Sequence, residues 1–173
     1  GFAFPIRHWG NFEFCACSEI SFGQTCDGRP LDFGSRTEEN SRILHAGGHS
    51  ILYRDFSGDD IPDLLLGRDE CNTLYFLPNS GTSADPRFTT FSTQIPEFGD
   101  LPVFPRFHVG QFIEDDIIVS LNTNETSAPF GIDFANSVVK LEKITGTISP
   151  ILQDQLFDLG ENVRPYFKGN VFA

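Results

Sequence analysis

The sequence predicts an all-β protein, a β-propeller built of four-stranded blades, and three observations carry that expectation. Phe is abundant (19 residues) and Met absent, while 16 Gly and 11 Pro punctuate the chain; aromatic residues suit strands and Gly/Pro suit the tight turns between them. Apolar runs are short and bounded by turn residues. The chain also repeats itself with a period of roughly 60 residues, inside the range in which repeats signal propellers or solenoids. Four strands per period correspond to a propeller blade.

The segments follow in order. Residues 1–31, with Trp9, the aromatic run Phe12-Glu-Phe14 and three of the four cysteines, are expected to finish or cap a preceding blade. Residues 32–96 form the first full blade: a boundary motif Asp32-Phe-Gly34, the strand His49-Ser-Ile-Leu-Tyr53, an acidic loop, the aliphatic strand Asp63-Leu-Leu-Leu-Gly67, and a longer strand beginning Leu74-Tyr-Phe-Leu. That strand runs into the turn Asn79-Ser-Gly-Thr82 and Pro86. Residues 97–157 repeat the order with Phe98-Gly99, Arg106-Phe-His-Val-Gly-Gln-Phe112, Asp116-Ile-Ile-Val-Ser120 and Val138–Thr147, leading to Pro150. Residues 158–173 begin a further blade with Asp158-Leu-Gly160 and a strand Tyr166–Phe172. The chain stops where the next acidic loop is due, and two to three blades leave open sheet edges, so a piece of a longer chain is expected. The Gly1-Phe-Ala-Phe-Pro5 start, without a basic n-region, reads as internal or already processed.

The net charge of −12 opposes binding to nucleic acid or to an anionic membrane. No stretch approaches the roughly 20 apolar residues of a membrane-spanning helix. Cys15, Cys17, Cys26 and Cys71 form an even set, read first as two disulfides in an oxidising compartment. A four-sulfur zinc site lacks the paired knuckles of zinc ribbons, and reduced buried thiols are the third reading. Alternation along a strand would make Cys15 and Cys17 face the same way, which leaves the connectivity open.

Asp55-Phe-Ser-Gly-Asp-Asp-Ile-Pro-Asp63 places an oxygen-bearing side chain at nearly every second residue of a tight loop between strands. A hard dication takes six to eight such oxygens. The predicted calcium ligands are Asp55, Ser57, Asp59, Asp63 and the Ile61 carbonyl. An EF-hand loop is longer, ends in Glu and joins two helices, so the helical sensors are excluded. The corresponding run Phe112-Ile-Glu-Asp-Asp116 is too short to wrap a cation, and a single site is expected.

In this order of strand, acidic loop, aliphatic strand, Asn-x-Gly-Thr turn and Pro-x-Phe, the chain resembles the FG-GAP/VCBS family of β-propeller repeats over about residues 32–173. Residues 42–67 are particularly similar to blades of large secreted Bacteroidetes surface proteins exported by the type 9 secretion system. The resemblance implies a calcium role for Asp55, Ser57, Asp59, Ile61 and Asp63. It departs at Ser57, where the family usually has an acid, and at Asp60, where it has Gly; Asp60 must therefore adopt a conformation normally given to Gly.

His45 and His49, four apart on a strand-like segment, are expected to be structural, and His8 and His108 lack a nucleophile partner. Gly48-His-Ser50 lacks the strand-to-helix setting of a nucleophile elbow. Glu38-Glu39, Asp59-Asp60, Asp69-Glu70 and Asp115-Asp116 are adjacent in sequence, whereas glycosidase carboxyls face each other across a cleft; Asp69 and Glu70 are left out of the ligand set. Asn124-Glu-Thr126 is an N-glycosylation-type triplet without force in a bacterial protein. The polar insertion Leu121–Asn136 is the best candidate for a partner surface on a rigid scaffold, against the reading of a solvated loop. The sequence thus reads as a non-enzymatic, calcium-stabilised, secreted or cell-surface interaction or adhesion scaffold. Its partner would be an unidentified protein or glycan, and in transit an outer-membrane secretion translocon. The alternative is a non-catalytic portion of an extracellular polysaccharide-acting enzyme.

Overall fold

The computed structural model describes residues 8–32, 49–68, 70–100, 107–121, 138–143, 145, 148–150, 167–168 and 171–172. His45, Glu38-Glu39, Asp69, the triplet at 124–126, insertion residues 122–136, the start of the chain and the motif at 158–160 lie outside them. So does the boundary motif beyond Asp32, and the side chains of His49 and His108 are also outside.

Among the described residues every regular element apart from one short 3-10 turn, Trp9–Asn11, is a strand: β1 Phe12–Ala16, β2 Glu19–Phe22, β3 His49–Arg54, β4 Asp63–Arg68, β5 Tyr75–Leu77, β6 Gln94–Ile95, β7 Gly99–Asp100, β8 Phe107–Ile113, β9 Asp116–Leu121, β10 Val138–Leu141, β11 Ile148–Pro150, β12 Phe167–Lys168 and β13 Val171–Phe172. The pairings among these strands are antiparallel and the sheets are small. No helix among the described residues is long and apolar enough to cross a membrane.

Strands β3, β4 and β5 form one meander in which β4 is central. The expected longer strand after Leu74 is only three residues of regular ladder, because Pro78 has no N–H to donate. Beyond it, Phe76 and Ser92 exchange both backbone bonds at 2.8 Å, and Asn79 bridges Phe88, so residues 88–92 lie along β5 where a fourth strand would be. Strands β8 to β11 form a second, complete four-stranded meander in sequence order.

The two meanders pack face to face. Leu65 and Phe76 from the first meet Ile117, Val119, Val139 and Leu141 from the second, and Phe56, Leu74, Ile95 and Phe98 complete this cluster. The opposite face of the first meander, through Leu64, Leu66, Tyr75 and Leu77, is covered by the β1–β2 hairpin with Phe12, Phe14, Ile20 and Phe22. This two-sided cover explains Leu64-Leu65-Leu66: a strand apolar on both faces has no alternation to show. At roughly 1.5–3 kcal/mol per fully buried large side chain, these two clusters outweigh any single loop contact and set the positions of the loops between them.

Two disulfides fasten the hairpin. Cys15 bonds Cys26 within the first segment, and Cys17 bonds Cys71 in the connection from β4 to β5. The expectation that Cys15 and Cys17 face one way is corrected: the pairing of β1 with β2 shifts register between Phe14 and Ala16, and Cys17 lies beyond the strand in the turn. A bulge breaks strict alternation, and the two thiols find different partners. The strand expected over Tyr166–Phe172 is likewise divided, with Phe167 pairing with Phe172 and Lys168 with Val171.

Candidate functional site

The acidic loop joins β3 to β4 and is eight residues long, since Arg54 pairs with Asp63; its counterpart between β8 and β9 has only Glu114 and Asp115, since Ile113 pairs with Asp116. Gly58 (φ 83°) and Asp60 (φ 65°) both adopt the left-handed conformation that turns the long loop back. Asp60 thus takes the role foreseen for it. Glu114, at φ 55°, does the same in the short turn.

The carboxylates of this loop are engaged with its own backbone. Asp55 is half-buried; its Oδ1 accepts the Gly58 N–H at 2.7 Å and the Ser57 hydroxyl at 3.4 Å, and its Oδ2 accepts the Asp60 N–H at 2.8 Å. The Gly58 N–H, ahead of the other donors, holds the Asp55 carboxyl below its ordinary value. Asp59, exposed, accepts the Ile61 N–H at 2.9 Å.

Asp63 differs from these, being 1% exposed. Its Oδ2 accepts the N–H groups of Phe56 and Ser57, both at 3.0 Å, and its Oδ1 accepts the Asn79 N–H at 2.8 Å. One carboxylate therefore ties the start of the acidic loop to the turn after β5.

The donor chemistry of Asp55, Ser57, Asp59, Ile61 and Asp63 is that of a hard-cation site, all oxygen. Among the described residues no group of three His, Cys, Asp or Glu side chains is placed to hold a metal ion. As folded, the loop is a hydrogen-bonded frame.

Sequence reasoning missed the second half of the site. Asn79, buried, continues where Asp63 leaves off: its Oδ1 accepts the N–H groups of Gly81 (2.9 Å) and Arg87 (3.0 Å), and its Nδ2 donates to the Pro62 carbonyl at 2.9 Å. The turn is closed further by Ser80 N–H to the Arg87 carbonyl (2.8 Å) and Thr82 N–H to the Asp85 carbonyl (3.0 Å). Gly81 is required, because a Cβ there would sit 2.3 Å from the Asp85 carbonyl oxygen. The available signal was the Asn-x-Gly-Thr motif itself, whose Asn is the side chain that grips the turn.

The second meander repeats the device in reduced form. Asp116, opening β9 as Asp63 opens β4, accepts the Lys143 N–H at 3.0 Å and the Lys140 ammonium at 3.2 Å. The Lys143 N–H is the main cause that holds the Asp116 carboxyl below its ordinary value. Lys143 in turn pairs with Glu97 at 2.7 Å.

The remaining candidates fall elsewhere. Glu70 pairs with Arg68, whose guanidinium lies 4.4 Å from the centre of the Phe14 ring. Ser50 lies inside β3 opposite Gly67, within a sheet and not at an elbow. His8 sits at φ 53° beside Trp9. No protein-family model, curated protein or solved structure matches this chain.

Proposed function

We propose that the chain is a segment of an FG-GAP/VCBS-type β-propeller that serves, without catalysis, as an interaction or adhesion scaffold of a secreted or cell-surface protein. The observation that carries this reading is the pair of consecutive antiparallel meanders stacked through their faces. In each, an acid that opens the second strand reaches the turn after the third. Neighbouring propeller blades are four-stranded sheets in such succession. The two disulfides favour an oxidising, extracellular setting. Export through a type 9 translocon belongs to the same proposal and rests on the resemblance of residues 42–67.

A structural calcium at the acidic loop is a further part of the proposal. The Ser57 hydroxyl already lies against Asp55, and the exposed Asp59 side chain would have to turn toward it and the Ile61 carbonyl to hold the ion. A ligand that binds only the folded state raises stability in proportion to RT ln(1 + [L]/Kd). Thermal unfolding with calcium and with EDTA therefore tests it: EDTA should lower the melting temperature, and Asp59→Ala should remove that response. A wild type indifferent to the chelator would sink the calcium reading. Peptide mapping without reductant tests the compartment, and four free thiols would overturn the extracellular assignment.

A further inference from the structure

Beside the Asn79 turn, an open groove of about 390 Å³ runs between the Trp9 turn and residues Ala84–Arg87, with His8, Trp9, Asn11, Asp85 and Arg87 among its walls. We propose that this groove is a carbohydrate subsite that takes a neutral sugar residue against the Trp9 indole. Its volume lies in the roughly 300–1,000 Å³ span of small-molecule sites.

Trp9 is the only tryptophan of the chain. Its ring contacts Tyr53 edge-on at 5.4 Å and Phe88 at 5.7 Å, yet it stays 40% exposed. The indole sits on a left-handed stretch of backbone. His8 (φ 53°), Gly10 (φ 79°) and Asn11 (φ 64°) are all left-handed, an uncommon conformation for the two that are not glycine. The Gly10 carbonyl accepts the Phe88 N–H at 2.9 Å, and a Cβ on Gly10 would lie 2.5 Å from the Phe88 ring. Backbone held this way by its surroundings is a mark of functional sites.

The opposite wall is equally fixed, since Asn79 grips the Arg87 N–H. Arg87 Nε faces Asp85 Oδ2 at 3.5 Å, and both side chains are largely exposed. The two charges offset each other, so the groove offers donors and acceptors without a net field, on a chain whose overall charge is −12. A sugar ring matches that set: its C–H face suits an indole, and its hydroxyls suit a guanidinium, a carboxylate and an amide. An anion would lack an uncompensated cation here, and a cation would lack an uncompensated acid.

The role of the subsite rests on the scaffold reading, but its existence does not. The test is a titration of the full chain, followed by selectively excited Trp9 fluorescence, with neutral mono- and oligosaccharides of gluco, galacto, manno and N-acetylglucosamine type. An acidic polygalacturonate oligomer and an unstructured peptide without tryptophan are titrated in parallel. Saturable quenching or a blue shift with at least one neutral sugar is expected. Arg87→Ala and Asp85→Ala, both at exposed positions, should weaken it about tenfold, the loss of one good polar contact, with an unchanged circular-dichroism spectrum. Absence of saturable response to every neutral sugar overturns the proposal. So does saturation by the peptide or the acidic oligomer alone, or sugar binding that Arg87→Ala and Asp85→Ala leave intact. Failure here leaves the disulfide and chelation results standing, and their failure leaves the titration standing.

Discussion

Replacing Asp63 separates two roles that an acid in this loop can have. In a cation cage, the carboxylates repel each other until the ion arrives, so neutralising one should stabilise the ion-free protein. As a backbone anchor, Asp63 does the opposite, because three N–H groups depend on its two oxygens. Asp63→Ala leaves the buried donors of Phe56 and Asn79 without partners, at about 1–3 kcal/mol each. The Ser57 N–H, which water can reach, costs less. The total is about 3–6 kcal/mol, a large share of the roughly 5–15 kcal/mol of a typical domain. For a chain of 173 residues, each kcal/mol moves the midpoint by about 2–4 °C, so a fall on the order of 10–20 °C is expected.

Asp63→Asn is the more informative variant because its shape is retained. The amide has one acceptor oxygen and two N–H donors. If that oxygen serves Phe56 and Ser57, the amide nitrogen confronts the Asn79 N–H, for a loss of about 2–3 kcal/mol. Exposed Asp59→Ala, which gives up one local bond to Ile61, should change stability by no more than about 1 kcal/mol. Urea and thermal unfolding in EDTA, followed by circular dichroism, measure all three. An Asp63→Asn protein as stable as the wild type in EDTA, or more so, would refute the anchor and favour the cage.

Peptide mapping should recover Cys15–Cys26 and Cys17–Cys71; from loop length, removing the second by paired Ser substitution should cost about 4 kcal/mol and the first about 3 kcal/mol, and Cys17–Cys26 or Cys15–Cys71 peptides would refute the pairing. Gly81→Ala, whose Cβ would collide with the Asp85 carbonyl, should lower the midpoint of unfolding by several degrees; an unchanged midpoint would show that the turn yields without cost. The folded pKa values of Asp55 and Asp116 are depressed below the ordinary 3.8, so their contribution is present in full above that value and is lost as pH falls from it through the lower folded values. The melting temperature should therefore drop below about pH 4, and Asp116→Asn should flatten that drop; an identical acid profile in the variant would remove Asp116 from the account.

The parts of the fold written in runs of neighbouring residues were legible. His49–Arg54, Asp63–Arg68 and Asp116–Leu121 are strands because apolar runs of this length, edged by Gly, Pro or acids, have few other ways to bury themselves. Asp60 could be assigned its left-handed turn because Asp tolerates that conformation. What escaped depended on partners distant in sequence. The bulge in β1 decides where Cys15 and Cys17 point, and no local pattern announces it. Trp9 reads as one more aromatic, and only its placement beside Phe88 and Arg87 makes it the wall of a groove. Asp63 was ambiguous in sequence for a chemical reason: a carboxylate that accepts N–H groups and one that ligates a cation are the same acceptor, in the same spacing, with different partners.

The second meander serves as an internal control on that ambiguity. It retains an acid at the first position of its central strand but has only two residues in place of the eight-residue loop. If the acid were there for a cation, shortening the loop would have removed its purpose. Asp116 instead accepts the Lys143 N–H after β10, as Asp63 accepts the Asn79 N–H after β5. The element common to both is the carboxylate that fastens the turn after the third strand to the head of the second, and the long loop is an addition to it. On that ordering, shortening the loop within residues 57–62, which keeps the buried Phe56, should leave the Asp63–Asn79 link and the fold in place while removing any response to calcium. Loss of the fold on shortening would instead make the long loop part of the frame.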